Sequence, residues 1–228
     1  MKRLVSVLVA VMLVVSVTAQ AMAYFEESHL IQVVYHDGGM TEVATDLGPM
    51  ADYLTPGEYD FQNVDLADFP GATWADLRVA YIHYDDNTDD VHFSGQDVLK
   101  SGNRKWATFT GAANPMSSYY GSLGGPSVVA EQSNANSYWT RMDKSGNAIG
   151  LAAEFLASGN IEASLAAIGT TGYVTQQLYF FDSPNSAVDG TLTGVTLVTS
   201  EVPLPASVLL LGSGLLGLVG IARKKRNI

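Results

Sequence analysis

The chain of 228 residues contains no cysteine. That excludes disulfides, thiolate metal sites and cysteine nucleophiles together, so the fold must hold by packing and hydrogen bonding, aided at most by bound cations. Basic residues are scarce through the middle of the chain. All 23 Asp and Glu lie between Tyr24 and Glu201, opposed there only by Arg78, Lys100, Arg104, Lys105, Arg141 and Lys144. Such an acidic surface repels phosphate backbones and anionic headgroups, which argues against nucleic acid as a partner and favours cations or neutral glycans. Catalytic signatures are missing as well: between those limits there is no G-x-S-x-G elbow, no H-E-x-x-H and no phosphate-binding loop. Glu131 and Glu154 would serve as a glycosidase pair, but any acidic protein offers such pairs, and the chain is expected not to be an enzyme.

Long apolar runs occur only at the two ends. Lys2 and Arg3 form a positive start, Leu4 to Val17 an uncharged apolar run too short for an ordinary span, and Ala21-Met22-Ala23 a small-x-small cleavage site. Residues 1–23 therefore read as a secretory signal peptide, with signal peptidase and Sec-type export as partners and Tyr24 as the mature N-terminus. At the other end, Val202 to Ala222 is a stretch of 21 residues without a charge. As a helix it would be about 31 Å long, the thickness of a bilayer's hydrocarbon core. Arg223-Lys224-Lys225-Arg226 follows as a stop, and because basic clusters stay cytoplasmic, residues 24–201 should lie beyond the inner membrane. Gly212 to Gly217 spells G-x-G-x-x-G, but without a preceding strand or a following acidic ribose ligand it is better read as a close-packing helix face, with Ser213 and Gly217 at small-xxx-small spacing.

The order Val202-Pro203-Leu204-Pro205-Ala206, a Gly-interrupted apolar span and a terminal basic cluster resembles the VPLPA variant of the PEP-CTERM sorting signal, over about 27 residues. The resemblance implies recognition by an exosortase, an integral-membrane protease-like enzyme of Gram-negative bacteria often associated with exopolysaccharide production. Val202 to Ala206 would be the recognition motif, and Arg223 to Arg226 the cytoplasmic retention end. Leu204 stands where the commoner form has Glu, which implies a variant-specific enzyme. On this reading the protein is held transiently by its C-terminal helix and ends at the cell surface or outside the cell. The resemblance says nothing about the chemistry of the region between. Its motif has a physical rationale, since two prolines hold a chain extended and deny it backbone donors, keeping the segment outside the bilayer open to a protease.

The remaining 178 or so residues suit one domain. β-Branched and aromatic runs at 30–35, 41–45, 77–84, 106–109, 173–181 and 191–199 alternate with turn formers, which predicts a mainly β, β-sandwich-like exported domain over 24–201. The last two runs, separated by the turn-rich 182–190, should pair as a long hairpin. One or two short helices are expected near 148–168, where Ile149, Ala152, Ala153 and Leu156 share a face and Ile161, Leu165 and Ile168 make a second stripe. Gly111 to Ser137 reads as a long surface excursion. An N-terminal signal helix and, over 202–228, a sorting signal with a transmembrane helix and a basic tail complete the organisation.

Asp85, Asp86, Asn87, Asp89 and Asp90 crowd one turn after a strand, and Asp85, Asn87 and Asp89 have the alternating spacing of a calcium loop. An EF-hand is excluded, because Asp90 stands where Gly is required and Gln96 where Glu is. If 85–90 is a hairpin loop, Tyr84 pairs with Val91 and His83 with His92, setting two imidazoles side by side as potential ligands of a transition metal. His29 and His36 have no evident partners. Trp106, Tyr119, Tyr120, Tyr138 and Trp139 beside Gly/Ser/Asn-rich segments are candidates for stacking on sugar rings or for core filling. The leading expectation is thus a structural, exosortase-sorted envelope or extracellular-matrix protein associated with exopolysaccharide. The alternatives are a calcium-assisted glycan-binding module and, third, a secreted glycan hydrolase.

Overall fold

The computed structural model of the chain describes residues 24–26, 28–88, 90–96, 99–101, 106–142, 156–158, 161–182 and 190–203. The strands are β1 (His29–His36), β2 (Thr41–Pro49), β3 (Gly57–Val64), β4 (Leu77–Asp85), β5 (Asp90–Gly95), β6 (Lys100–Ser101), β7 (Ser127–Glu131), β8 (Leu156–Ser158), β9 (Glu162–Ser164), β10 (Tyr173–Phe181) and β11 (Thr191–Glu201). The helices are α1 (Trp106–Leu123), α2 (Tyr138–Arg141) and α3 (Ile168–Thr171). One sheet runs β3-β11-β10-β5-β4-β1-β2-β7, with β9 also paired to β4, while β6 and β8 form a separate ribbon. Its neighbours are antiparallel except β3 and β11, which are parallel.

Both faces of the central strands are apolar, so the period-2 alternation of side chains feeds two cores. From β1 and β4, Ile31, Val33, Tyr35, Ala80, Ile82 and Tyr84 enter a core shared with Ala113, Met116 and Tyr120 of α1 and Tyr138 of α2. Leu30, Val34, Leu77, Val79 and Tyr81 point the other way, into a core shared with Val195 and Leu197. That second core is covered by the sheet itself. The Phe61 ring of β3 lies 5.6 Å from that of Tyr81 on β4, although three strands separate the two in the sheet. Hydrogen bonds cross the same interior, from Asn63 Nδ2 to Gln32 Oε1 at 2.8 Å, from Gln32 Nε2 to the Tyr81 hydroxyl at 2.8 Å, and between the Tyr81 and Thr199 hydroxyls at 2.6 Å.

The domain is mainly β, as expected, but the two facing layers of the predicted sandwich are halves of one curled sheet. Strand alternation records that a face is covered, and is silent on whether a second sheet or the same sheet covers it. Five of the six predicted strands form, and the hairpin of β10 and β11 pairs Tyr173 with Ser200 through to Phe180 with Thr191. The run 106–109 instead opens α1, and the supposed surface excursion 111–137 holds most of that helix, β7 and the turn into α2. Of the stretch 148–168, where one or two short helices are expected, only 156–158 and 161–168 are among the described residues. Residues 156–158 and 162–164 are strands, 165–167 is a 3₁₀ turn and α3 begins only at Ile168, while 143–155 lie outside the described residues. Among the described residues no helix is long and apolar enough to cross a membrane. The signal segment 1–23 and residues 204–228 of the tail lie outside them.

Candidate functional site

The β4–β5 hairpin has the predicted register: Tyr84 faces Val91, His83 faces His92 and Asp85 faces Asp90. Within the turn, Asp85 Oδ1 accepts from the Asn87 backbone N–H at 2.8 Å and from Asn87 Nδ2 at 3.1 Å, so an Asx turn closes the loop. Asp86 instead leans onto α1, where Asn114 Nδ2 donates to its Oδ2 at 3.0 Å. Its other oxygen, Oδ1, and Asn114 Oδ1 are buried acceptors with no hydrogen-bond partner among the described residues. No three carboxylates or imidazoles converge as a metal-holding group among the described residues, and Asp89 lies outside them.

One step down the hairpin the two imidazoles meet at 3.0 Å between Nδ1 atoms, one donating and the other accepting. Both rings are buried, and Phe180 stacks at 4.9 Å on His92. Burial holds His83 down at about 4, against a smaller opposing pull from Asp85, and burial together with His83 holds His92 down at about 3. The pair is therefore neutral at physiological pH. Its spacing suits two ligands of one ion 2.0–2.1 Å away, but no third ligand joins it among the described residues.

A second polar cluster has no counterpart in the sequence reading. Glu42 of β2 is fully buried, and its carboxyl accepts from the Tyr120 hydroxyl at 2.7 Å and the backbone N–H groups of Tyr138 and Trp139 at 3.1 Å each. Burial pushes it up to about 7, outweighing those three hydrogen bonds. Tyr138 continues the chain through its hydroxyl to Glu162 Oε1 at 2.7 Å, and Tyr35 donates to Glu162 Oε2 at 2.8 Å. One hydrogen-bonded file thus ties β2, α1, α2, β9 and β1. The signal for it was a carboxylate on the same strand face as Ala44, which sequence alternation alone cannot assign to the interior.

The aromatics proposed for sugar stacking are core residues where they are described. Tyr120 and Tyr138 are fully buried, while Tyr119 and Trp139 pack half-buried against the same core. The side chain of Trp106 lies outside the described residues, as does Glu154, and Glu131 is exposed at the end of β7. His29 does have a partner: its Nδ1 meets both Asp46 carboxylate oxygens at 2.9 Å. Asp46 also accepts from the backbone N–H of Phe25, whose ring packs 5.4 Å from Tyr120, so the start of the described chain is pinned to the sheet.

At the other terminus, β11 lies between β10 and β3 as far as Glu201. Val202 then donates its N–H to Val64 carbonyl at 3.0 Å, and Pro203, which has no N–H, ends the ladder. No family model, curated protein or solved structure matches the chain.

Proposed function

We propose that the protein is exported through a cleaved N-terminal signal, held transiently at the inner membrane by a C-terminal helix, and sorted by an exosortase acting at Val202 to Ala206. In this reading it is a non-catalytic component of the envelope or extracellular matrix, associated with exopolysaccharide. The observation that carries the reading is where β11 ends. Among the described residues, the last backbone hydrogen bond at the end of β11 is made by Val202, the first residue of the motif, so Pro203 stands where the ladder ends. A protease would find Pro203 immediately past that bond, at the edge of the domain. At the N-terminal side, Phe25 is already buried, one residue beyond the expected new terminus, so signal removal would leave the packed unit intact.

Replacing both Pro203 and Pro205 by Ala should let helix extend outward from the membrane span and block tail removal in the native host. Mass spectrometry of the exported protein is expected to find Tyr24 at the N-terminus in both forms and a retained tail only in the variant. Identical C-terminal processing of the variant and the parent would refute the sorting reading.

The calcium reading stands second, and the two unpartnered acceptors Asp86 Oδ1 and Asn114 Oδ1 favour it. A cation beside them would satisfy both and offset the charge of the Asp-rich turn.

A further inference from the structure

The outward face of β3, β11 and β10 bears an open groove of about 380 Å³, lined by none of the aromatics that the sequence singled out. Register builds it in rows. Gln62, Ser200 and Tyr173 stand side by side on the three strands, and Asp60, Val198 and Thr175 form the next row. Glu58 extends the β3 wall by one more outward position. The alternate residues of these strands, among them Val174, Leu197 and Phe61, face the interior, so the groove's side chains are fixed on the outer surface by the pleat.

Three features define what fits. The wall on β3 is polar and pre-oriented: Asp60 accepts from Gln62 Nε2 at 3.0 Å on one oxygen and from the Ser200 hydroxyl at 3.0 Å on the other, leaving each oxygen a further lone pair toward the groove. The floor is apolar, made by Val198, which is only 6% exposed. The opposite rim is Tyr173, an aromatic residue left 51% exposed next to the left-handed Gly172.

These features discriminate among ligand classes. Carboxylates without a lysine or arginine among the described lining residues repel phosphate, sulfate and uronate. A cation is disfavoured, because only the two carboxylates Asp60 and Glu58 line the groove, and no group of three acidic or imidazole side chains gathers there among the described residues. What remains is a polyol with one apolar face: C–H groups on Val198 and the Tyr173 ring, and adjacent hydroxyls donating to Asp60 and Glu58 while accepting from Gln62 and Thr175. We propose that this groove binds a neutral oligosaccharide. The inference does not depend on the sorting reading, since the groove is complete in the folded domain whether or not the tail is ever processed.

The test uses the full-length chain in a zwitterionic detergent that carries no sugar headgroup. Titration calorimetry and amide chemical shifts are followed against pentasaccharides of glucose, mannose, galactose and N-acetylglucosamine, with oligogalacturonate and calcium chloride as separate probes. At least one neutral pentasaccharide should bind with a Kd of about 1 mM or tighter, perturbing amides of β3, β10 and β11. Tyr173→Ala should weaken it by about tenfold or more, and Asp60→Asn should weaken it as well. Both side chains are exposed, and unchanged melting curves would verify that the variants fold. Val129→Ala on β7, at the opposite end of the sheet, should bind like the parent. The proposal is overturned if no neutral sugar binds at about ten times that concentration, if binding ignores both groove substitutions, or if only calcium or oligogalacturonate moves the groove resonances.

Discussion

Glu42 shows how one side chain can set a pH dependence. Its carboxyl is raised from 4.5 to about 7 by burial, so the folded chain keeps a proton that the unfolded chain gives up. The associated stability is complete below about pH 4.5 and is lost as the pH rises through about 7, by on the order of 3 kcal/mol. His83 and His92 act in the opposite sense. Depressed from 6.5 to about 4 and about 3, they contribute stability above pH 6.5 that is lost as the pH falls toward those values. Glu42→Gln should separate the two. The amide must set its NH₂ against at least one of the donors that now serve the carboxyl, a penalty that is constant with pH. The stability of the variant relative to the parent, measured by urea unfolding, should therefore rise by about 2–3 kcal/mol between pH 4.5 and pH 8. A difference that stays flat across that range would mean that Glu42 is ionised in the fold throughout. The histidine pairing was legible in the sequence because a hairpin loop fixes its own register. Glu42 was not, because in Thr41-Glu42-Val43-Ala44-Thr45 a carboxylate in alternation reads as facing water unless both faces of the strand are known to be covered.

Elements were legible where local pattern and tertiary contact agree. The strands at 29–36, 77–85 and 173–181 carry β-branched and aromatic residues that suit a doubly buried sheet. Helix α1 was hidden by its composition. Gly111, Asn114, Pro115 and Gly121 are poor helix formers, yet Ala113, Met116, Ser117 and Tyr120 recur at helical spacing and are all buried on the sheet, so packing overrides propensity. β3 was missed for the opposite reason: its outward Glu58, Asp60 and Gln62 dilute the apolar pattern that its inward side keeps. The β4–β5 turn is where an element-scale test is sharpest. If calcium occupies it, binding at about 100 times Kd adds roughly 2.7 kcal/mol, or on the order of 5–10 °C in Tm for a domain of this size. Asp86→Asn should remove most of that shift, because Asp86 is the carboxylate whose oxygen lacks a donor. Coincident melting curves in millimolar calcium and in chelator would eliminate the site.

At the scale of the whole molecule, the topology decides how the chain responds to being held by one end. β11 is the last strand among the described residues, yet it lies inside the sheet order, zipped antiparallel to β10 along one side and parallel to β3 along the other. Tension applied through Pro203 and the residues beyond it runs along β11 and loads both ladders lengthwise. Their bonds must then slide together; they cannot peel one at a time. β3 adds a second ladder to the pulled strand, and is itself tied across the interior through Asn63 and Gln32. A domain tethered at its C-terminus in flowing water, or dragged by a polymer seated against β3 and β10, would therefore behave as a stiff shackle. Its lifetime under load would be set by the rate of shearing β11 free, and would tell little about its equilibrium stability.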